Sequence, residues 1–264
     1  MIVDGKALAQ EIFRELKNRI THLDVKPHLT VFTCAPNFAT KKYLNLKTKR
    51  AKEVGIGVNV IELPEIITTE QAIQSIEHAC MQTDGIIVQL PLPEHLDTDA
   101  ILRAIPPALD VDGVHYEGNG ATPVHPVAGA LAVIANRCDV LLAGQKVVVV
   151  GHGRLVGQPA AKWATSQGAQ VTIVTEDSPE REAAIATADV LILGVGKPNL
   201  ITPEMVKEGV IIFDAGTSEL GGQLVGDADP ACAKQASLLT PVPGGVGPLT
   251  VAVLLQNLVS LSEA

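Results

Sequence analysis

The sequence predicts an α/β protein with two domains: an N-terminal α/β domain with a mostly parallel sheet, and a Rossmann-like domain. Apolar strand-like runs alternate with amphipathic helical segments in both halves, which is typical of parallel sheets. The β-branched run Val147-Val-Val-Val150 leads directly into closely spaced glycines. The last apolar segment has no polar face, so we expect a C-terminal helix that returns to the first domain. The expected boundaries are 1–125 with 248–264 for the first domain and 126–247 for the second.

The composition limits the possible classes of function. The chain has 264 residues, 47% of them hydrophobic, and a formal net charge of −9 at pH 7. An acidic chain without clustered Lys and Arg is not expected to bind nucleic acid. No apolar run reaches the roughly 18 residues of a membrane span, and the start lacks a signal-peptide pattern. Cys34, Cys80, Cys138 and Cys232 show no metal-ligand spacing, so we expect no metal and a reducing, cytoplasmic setting.

The first part of the chain alternates helix and strand. Leu8, Ile12 and Leu16 recur at helical spacing in the opening segment. Thr69 is the expected N-cap of the third helix. The predicted elements are helices at 6–20, 39–54 and 69–80 and strands at 29–33, 57–63 and 84–90.

The second part begins with a segment rich in Pro, Gly, Asp and His, residues 91–126, which contains a short helix near 98–104. After Asp227 we expect a loop to Pro248, and then a helix from its N-cap Thr250 to about residue 260. The other predicted elements are helices at 128–138, 158–167, 180–187 and 203–208 and strands at 147–150, 171–175, 189–194 and 210–214.

The glycines after the first of these strands suggest a dinucleotide site. Gly151, Gly153 and Gly157 have the spacing G-x-G-x-x-x-G, one residue longer than the usual fingerprint. Glycines let a pyrophosphate approach the backbone, and the following helix N-terminus offers unpaired N–H groups. Glu176 lies 19 positions beyond Gly157, where an acid can bind the ribose hydroxyls. The glycines alone fit an ordinary strand-to-helix turn, but the two strands and the acid favour dinucleotide binding.

Polar residues in the first domain form a second group of candidates. Tyr43 and Lys47 stand four apart and project from one helix face, although spacing alone favours a solvated basic face over a site. Gln89 ends a buried strand, where ligands bind in open α/β sheets, or it caps a loop. Asp110 and Asp112 could hold a metal, but no further ligands lie at useful spacing and a turn-forming role is the simpler interpretation.

The segment 240–250 is dense in Pro and Gly. Its adjacent glycines, Gly244 and Gly245, would let a flat ligand lie directly against the backbone. A plain linker between domains is the alternative.

Five motifs occur in one order along the chain. They are Tyr43…Lys47, Asp84-Gly-Ile-Ile-Val-Gln-Leu-Pro-Leu-Pro93, Asp110-Val-Asp-Gly113, Val156-Gly-Gln-Pro159 and Thr240-Pro-Val-Pro-Gly-Gly-Val-Gly-Pro248. Together they resemble the bifunctional methylenetetrahydrofolate dehydrogenase/methenyltetrahydrofolate cyclohydrolase family, over nearly the whole chain. The resemblance implies a folate site in the cleft between the domains, a nicotinamide cofactor in the second domain and a homodimer formed through it. It also overrides the solvated-face interpretation of the second helix.

The resemblance implies a role for each site residue. Lys47 would activate water or move protons in the hydrolysis step, and Tyr43 would position the substrate and Lys47. Gln89 would hydrogen-bond Lys47, and Asp112 would accept N–H groups of the pterin. A lysine partly withdrawn from water can act as a base near neutrality. Further folate contacts are expected from Leu90, Pro91, Pro243, Gly244, Gly245, Pro248 and Thr250. The expected cofactor contacts are Gly151, His152, Gly153, Val156, Gly157, Thr175, Glu176, Gly194 and Gly196.

The chain departs from the family pattern around the expected cofactor site. Gly151-His-Gly153 stands where the family commonly has Gly-Arg-Ser, and Thr175-Glu-Asp177 stands where it often has His-Ser. Both changes remove groups that suit a 2′-phosphate, and Glu176 adds a carboxylate that repels one. We therefore predict NAD over NADP.

Other departures lie near the expected folate site. Leu109 replaces the usual Lys before Asp-Val-Asp-Gly, and Pro123-Val-His-Pro126 replaces Pro-Cys-Thr-Pro after a shortened connection. Ala35 stands in place of the glycine of the first βα loop. These changes raise the question of whether the hydrolysis step survives.

The expected protein is an enzyme of one-carbon metabolism. It would oxidise methylenetetrahydrofolate to the methenyl form and hydrolyse that to formyltetrahydrofolate. Three alternatives stay open at this point: a monofunctional dehydrogenase on the same substrate, a non-catalytic NAD- or folate-binding protein, and a dehydrogenase for another small substrate.

Overall fold

The computed structural model describes residues 1–36, 38–120 and 123–263, and the chain forms two compact units. The five-strand unit comprises Met1–Ala9, Glu117–Ala121 and Pro126–Thr250. The three-strand unit comprises Gln10–Tyr116, Thr122–His125 and Val251–Ala264. Two helices, α1 (Gly5–Thr21) and α8 (Val246–Ser262), contribute residues to both units.

The three-strand unit is built on a parallel sheet. Its strands are β1 (His28–Cys34), β2 (Gly57–Leu63) and β3 (Gly85–Val88), in the order β2-β1-β3. Its other helices are α2 (Phe38–Val54), α3 (Thr69–Ala79) and α4 (Thr98–Arg103). The register aligns the carboxyl ends of the strands along one edge of the sheet, so the residues that follow them meet there.

The sheet of this unit separates two apolar clusters. Leu29, Val31 and Ile87 face one cluster, and alternate residues such as Phe32 and Ile86 face the other. The first cluster is completed by the C-terminal part of α8, from its residues Val251, Leu254, Leu255, Leu258 and Val259. The expectation that the last helix returns to the first domain is thereby confirmed, because its apolar surface is buried there.

The five-strand unit is also parallel. Its strands are β4 (Lys146–Val150), β5 (Gln170–Val174), β6 (Val190–Leu193), β7 (Ile211–Asp214) and β10 (Leu238–Leu239). Their order is β10-β7-β6-β4-β5, and its helices include α5 (Pro126–Arg137), α6 (Gly157–Ser166) and α7 (Arg181–Thr187). The chain moves from β4 outward to β5 and then crosses to β6 on the other side. The order therefore reverses between β4 and β6, the position where doubly wound sheets bind ligands.

Some short elements of this unit differ from the sequence prediction. Two strands, β8 (Ser218–Leu220) and β9 (Gln223–Val225), form an antiparallel hairpin that we did not predict. The predicted loop after Asp227 contains a 3₁₀ turn at Pro230–Lys234 and the short strand β10. The helix predicted at 203–208 is a single 3₁₀ turn, Pro203–Met205, because Val206 is extended.

Both predicted N-caps were wrong. The cap of α3 is Thr68, which exchanges hydrogen bonds with Gln71 in a capping box; the Gln three residues on selects it over Thr69. Helix α8 begins at Val246, and Thr250 lies inside it with its hydroxyl donating to the Gly247 carbonyl at 2.7 Å. Pro248 does not delay the helix, since proline is tolerated in a first turn.

No helix within the described ranges is long and apolar enough to cross a membrane.

Candidate active site

Lys47 is buried in the three-strand unit. Its side chain lies on the face of α2 that also carries the core residues Leu44 and Ala51, and the residue is only 5% exposed. Its ammonium Nζ donates to Oε1 of Gln89 at 3.3 Å and lies 4.9 Å from the centre of the Tyr43 ring. The distance to the ring is within cation–π range. Helical spacing thus brings Lys47 into the protein interior, and it is not part of a solvated basic face.

Gln89 is held by its own backbone and side-chain bonds. It directly follows β3, and its backbone N–H donates to Phe32 at 2.8 Å, which continues the sheet ladder by one residue. Its side-chain amide donates to the Leu90 carbonyl at 3.0 Å. Because that bond fixes which end of the amide is the donor, the oxygen is turned towards Lys47. The prediction that Gln89 hydrogen-bonds Lys47 is met in the structure.

The two acids after the short 3₁₀ turn at Pro107–Leu109 have different surroundings. Asp110 is fully buried and accepts the backbone N–H groups of Val114 and His115, each at 2.9 Å. It also lies 3.0 Å from Nδ1 of His115. The turn-forming interpretation therefore applies to Asp110. An isolated parallel bridge between Asp110 and Ile86 sends the half-buried Asp112 towards the carboxyl end of β3.

The remaining expected folate contacts divide between the units. Leu90 is half-buried and Pro91 exposed, in the three-strand unit just after Gln89. Pro243, Gly244, Gly245, Pro248 and Thr250 belong to the five-strand unit. There the start of α1 lies against the glycines, since a Cβ on Gly5 would come within 1.9 Å of the Gly245 carbonyl oxygen.

Tightly packed glycines line the carboxyl ends of β4 and β6. Gly151 has φ +98°, and a Cβ on Gly157 would lie 2.1 Å from the Gly151 carbonyl oxygen. A Cβ on Gly194 would lie 2.2 Å from a methyl carbon of Val156. These contacts hold the start of α6 against both strands. A Cβ on Gly153, in contrast, would meet nothing within 4 Å, so that position stays open to a ligand.

A cavity of about 270 Å³ opens over these glycines. It lies at the reversal of strand order, as expected for a dinucleotide site. Of the residues predicted to bind the cofactor, it is lined by Gly151, His152, Gly153, Thr175, Glu176 and Gly194. It is also lined by Arg181, Lys197 and Leu200, which the sequence prediction did not include.

Two buried acids hold the loops beside this cavity, and the sequence prediction missed both. Asp227 accepts three consecutive backbone N–H groups, from Val195 at 2.6 Å, Gly196 at 3.0 Å and Lys197 at 2.9 Å. Asp214, at the end of β7, accepts from Gly216 at 3.0 Å and Ala228 at 2.8 Å. Burial raises the pKa of Asp214 to about 6. Asp214 could have been found from the sequence, because it is an acid that directly ends an apolar strand.

Glu176 forms an ion pair at the rim of the cavity. Its Oε2 lies 2.6 Å from Nζ of Lys197. The hydrogen bond and the charge of Lys197, with a smaller effect of Arg181, hold the pKa of Glu176 below its usual value. The predicted ribose-binding acid therefore has two cations as neighbours.

Among the described residues, no three His, Cys, Asp or Glu side chains are grouped so that they could hold a metal ion.

Comparison with known proteins gives matches along most of the chain. Residues 3–112 match the sequence model of the tetrahydrofolate dehydrogenase/cyclohydrolase catalytic domain, and residues 124–264 match that of the NAD(P)-binding domain of the same family. A Bifunctional protein FolD of Thermus thermophilus is 37% identical over 266 residues, covering 97% of this chain and 94% of that protein. That of Nautilia profundicola is 38% identical over 277 residues, covering 99% and 97%.

Solved structures agree with these matches. The bifunctional enzyme FolD of Campylobacter jejuni has a TM-score of 0.96 and 34% identity, covering 100% of this chain and 98% of that one. The Trypanosoma brucei enzyme, solved with NADP and an inhibitor, has a TM-score of 0.93 and 30% identity, covering 100% and 97%. The NAD-dependent dehydrogenase of Saccharomyces cerevisiae has a TM-score of 0.77 at 19% identity, covering 99% and 96%, and shares the fold.

The two family matches together span both parts of the predicted α/β architecture, and full-length relatives exceed 30% identity. The resemblance seen in the sequence motifs is thus confirmed: the chain belongs to the tetrahydrofolate dehydrogenase/cyclohydrolase family.

Proposed function

We propose that this chain oxidises 5,10-methylenetetrahydrofolate to 5,10-methenyltetrahydrofolate with a nicotinamide dinucleotide and then hydrolyses the product to 10-formyltetrahydrofolate. The observation that carries the proposal is the buried Lys47 ammonium, bonded to Gln89 and set over the Tyr43 ring. In a chain of this family, such a group is suited to move protons at the one-carbon bridge of a bound folate.

In the hydrolysis step, water adds to the methenyl carbon. The bond from that carbon to N5 breaks, the formyl group stays on N10, and one proton is released in total. In its neutral amine form, Lys47 takes one proton from the attacking water, and the ammonium formed in this way gives a proton to N5; the second proton of the water is the one released. Gln89 keeps the Lys47 amine directed by the bond to its amide oxygen. Asp112 accepts N–H bonds from the pterin, which orients the ring.

The oxidation step is a matter of positioning. When bound, the nicotinamide supplies the acceptor for the hydride that leaves the methylene carbon. The residues around the cavity fit a dinucleotide, since Gly153 leaves the backbone accessible and Asp227 fixes the loop at Gly196. The chain's own contribution is to hold the cofactor there in one geometry.

We infer a preference for NAD over NADP from Glu176 and from His152, which stands where an arginine would suit a 2′-phosphate. Glu176→Ser combined with His152→Arg is expected to raise the preference for NADP, since a phosphate would gain a cation and lose a repelling carboxylate. Steady-state kinetics with both cofactors measures this. A wild type that prefers NADP by about tenfold or more, roughly 1.4 kcal/mol, contradicts the inference.

Separate assays of oxidation and of methenyltetrahydrofolate hydrolysis test the proposed function. Lys47→Met should lower hydrolysis at least about a hundredfold, since general acid–base groups contribute on that order or more. Lys49→Met is the matched control, because Lys49 lies on the same helix but is exposed and pairs with Glu53 at the surface. Equal hydrolysis by the wild type and Lys47→Met would rule out the assigned role.

The same assays separate the alternatives. Oxidation without hydrolysis in the wild type would indicate a monofunctional dehydrogenase. That alternative rests on Leu109, which packs against an apolar cluster of the three-strand unit and supplies no charge there. Binding of NAD or folate without either reaction would indicate a non-catalytic protein.

We also propose a homodimer formed through the five-strand unit, in the cytoplasm. Strand β5 lies at an edge of the sheet, with Ile173 exposed beside a larger cavity of about 770 Å³. Light scattering of the purified protein tests the dimer, and a monomer at micromolar concentration contradicts it.

The proposed cytoplasmic location agrees with the cysteines. The four cysteines are free thiols, which suits a reducing compartment.

A further inference from the structure

Three charged side chains meet at one rim of the cofactor cavity. Glu176 is paired with Lys197, and Arg181 lines the same cavity from the start of α7. The Nε atom of Arg181 is buried and has no hydrogen-bond partner among the residues that the structure describes. The rim therefore carries one acid and two cations, and its local net charge is positive although Glu176 itself is negative.

The backbone of Lys197 is fixed in place. Its N–H donates to the buried carboxylate of Asp227 at 2.9 Å, and the two preceding N–H groups donate to the same carboxylate. Lys197 thus extends from an anchored loop towards Glu176, which follows β5 on the other side of β4. Because the backbone of Lys197 is anchored, its ammonium stays close to the predicted ribose-binding acid. It therefore acts electrostatically on any charged group of the cofactor at this position.

We propose that Lys197, supported by Arg181, is a specificity-determining residue that offsets the Glu176 carboxylate and so lets NADP be used as a second cofactor. The inference rests on the proposed function, because it concerns the same cofactor site. With NAD, the ribose hydroxyls bond Glu176, and there is no 2′-phosphate for the two cations to attract at this rim. With NADP, the 2′-phosphate meets Lys197 and Arg181, which reduces its repulsion by Glu176.

The test compares kcat/KM for NADP and for NAD in Lys197→Met. The value of kcat/KM for NADP divided by that for NAD is expected to fall about fivefold. The fall is modest because the removed charge is partly exposed, although it acts on a phosphate dianion. The change should appear in KM for NADP with kcat almost unchanged, since the contact is made equally before and during the reaction. Lys197→Arg should keep most of the wild-type ratio, and Arg181→Met should shift it in the same direction as Lys197→Met.

Salt gives a second readout. KM for NADP in the wild type is expected to rise more steeply with ionic strength than KM for NAD, and Lys197→Met should flatten that difference. Lys207→Met is the matched control: Lys207 is also partly exposed and paired with an acid, Asp189, in the same unit, but neither residue lines the cavity. In Lys207→Met, the ratio of kcat/KM for NADP to kcat/KM for NAD should equal that of the wild type.

An unchanged ratio in Lys197→Met, or an equal loss with both cofactors, overturns the inference while leaving the proposed function intact. If the wild type oxidises methylenetetrahydrofolate with neither cofactor, the proposed function fails. The inference is then tested by calorimetric binding of NAD and NADP, where the ratio of their Kd values in Lys197→Met must shift as described.

Discussion

The two units place a lysine in opposite environments. Lys47 of the three-strand unit is 5% exposed and bonded to a buried amide, whereas the Lys197 side chain of the five-strand unit is 50% exposed and paired with Glu176, whose side chain is 73% exposed. Packing fixes the first group, so we expect its loss to remove the proposed proton transfer of the hydrolysis step. Water screens the second pair, so its loss changes only the balance between similar ligands. In the roles proposed above, the buried lysine serves the hydrolysis step and the exposed lysine serves the choice of cofactor.

The largest effect is expected from a buried group of the five-strand unit. Burial raises the pKa of Asp214 to about 6, above its ordinary value of 3.8. The folded protein therefore holds this proton more tightly than the unfolded chain, and unfolding releases it between about pH 4 and pH 6. The contribution of Asp214 to the free energy of unfolding should fall by about 3 kcal/mol as the pH rises through that window, and level off above it.

Urea unfolding of the wild type and Asp214→Asn across this range measures the effect. The unfolding free energy of the wild type minus that of the variant should fall as the pH rises, because the variant carries no titrating group at this position. Glu176→Gln is the exposed counterpart, and it should leave the profile between pH 5 and pH 7 unchanged. A wild-type profile parallel to that of Asp214→Asn would contradict the raised pKa.

A second buried group tests the other half of the comparison. In Gln89→Leu, the Lys47 ammonium loses its amide acceptor, and the amine is no longer directed. We expect hydrolysis to fall about tenfold or more, with a loss of about 1–3 kcal/mol in stability from the unpaired buried group. Gln82→Leu, at an exposed position of the same unit, serves as the control. Hydrolysis at the wild-type rate in Gln89→Leu would mean that packing alone directs Lys47.

Asp227→Asn separates positioning from charge in the five-strand unit. The substitution replaces one acceptor oxygen by an N–H donor, which then faces the N–H group of Val195 if Oδ2 is replaced, or that of Lys197 if Oδ1 is replaced. The loop should loosen, and KM should rise by about fivefold for NAD and NADP alike, equivalent to about 1 kcal/mol. Lys197→Met, in contrast, should act on NADP selectively. A selective effect of Asp227→Asn would show that the acid acts through charge and not through the loop.

The sequence predicted most of the helices and strands, because their apolar residues recur at regular spacing. Strand β4, helix α6 and the acid at 176 could be placed from apolar periodicity, glycine spacing and chain distance. Lys197 could not be placed, because its proximity to Glu176 depends on two strands on either side of β4. Asp227 was missed for a similar reason: its partners lie about thirty residues earlier in the chain.

Local sequence patterns also failed to predict the cap of α3, the β8–β9 hairpin and the burial of Lys47. The cap of α3 was predicted at Thr69, but the structure places it one residue earlier, at Thr68, whose side chain and backbone bond Gln71. The hairpin β8–β9 has short, exposed strands around two glycines, so it shows little of the alternation by which strands are recognised. In the three-strand unit, spacing alone favoured a solvated face for Lys47, and the family motifs overrode that interpretation.

The smallest effect is expected at Ala35, which follows β1 at the carboxyl edge of the three-strand sheet. Its φ of +43° lies in the left-handed region, which costs alanine about 1 kcal/mol or more and glycine almost nothing. Ala35→Gly should therefore raise the free energy of unfolding by about 0.5 kcal/mol, after the larger entropy of glycine in the unfolded chain is subtracted. Ala143→Gly, where φ is not positive, should lower it slightly.

The rate of methenyltetrahydrofolate hydrolysis by Ala35→Gly tests whether this exposed residue influences the buried Lys47. Ala35 is exposed, so relief of its strain should alter stability without altering the rate. A changed rate would mean that the backbone strain is transmitted along the edge of the sheet to the start of α2, which carries Lys47. The buried lysine would then depend on an exposed residue, and the separation of chemistry from the protein surface would no longer hold in this unit.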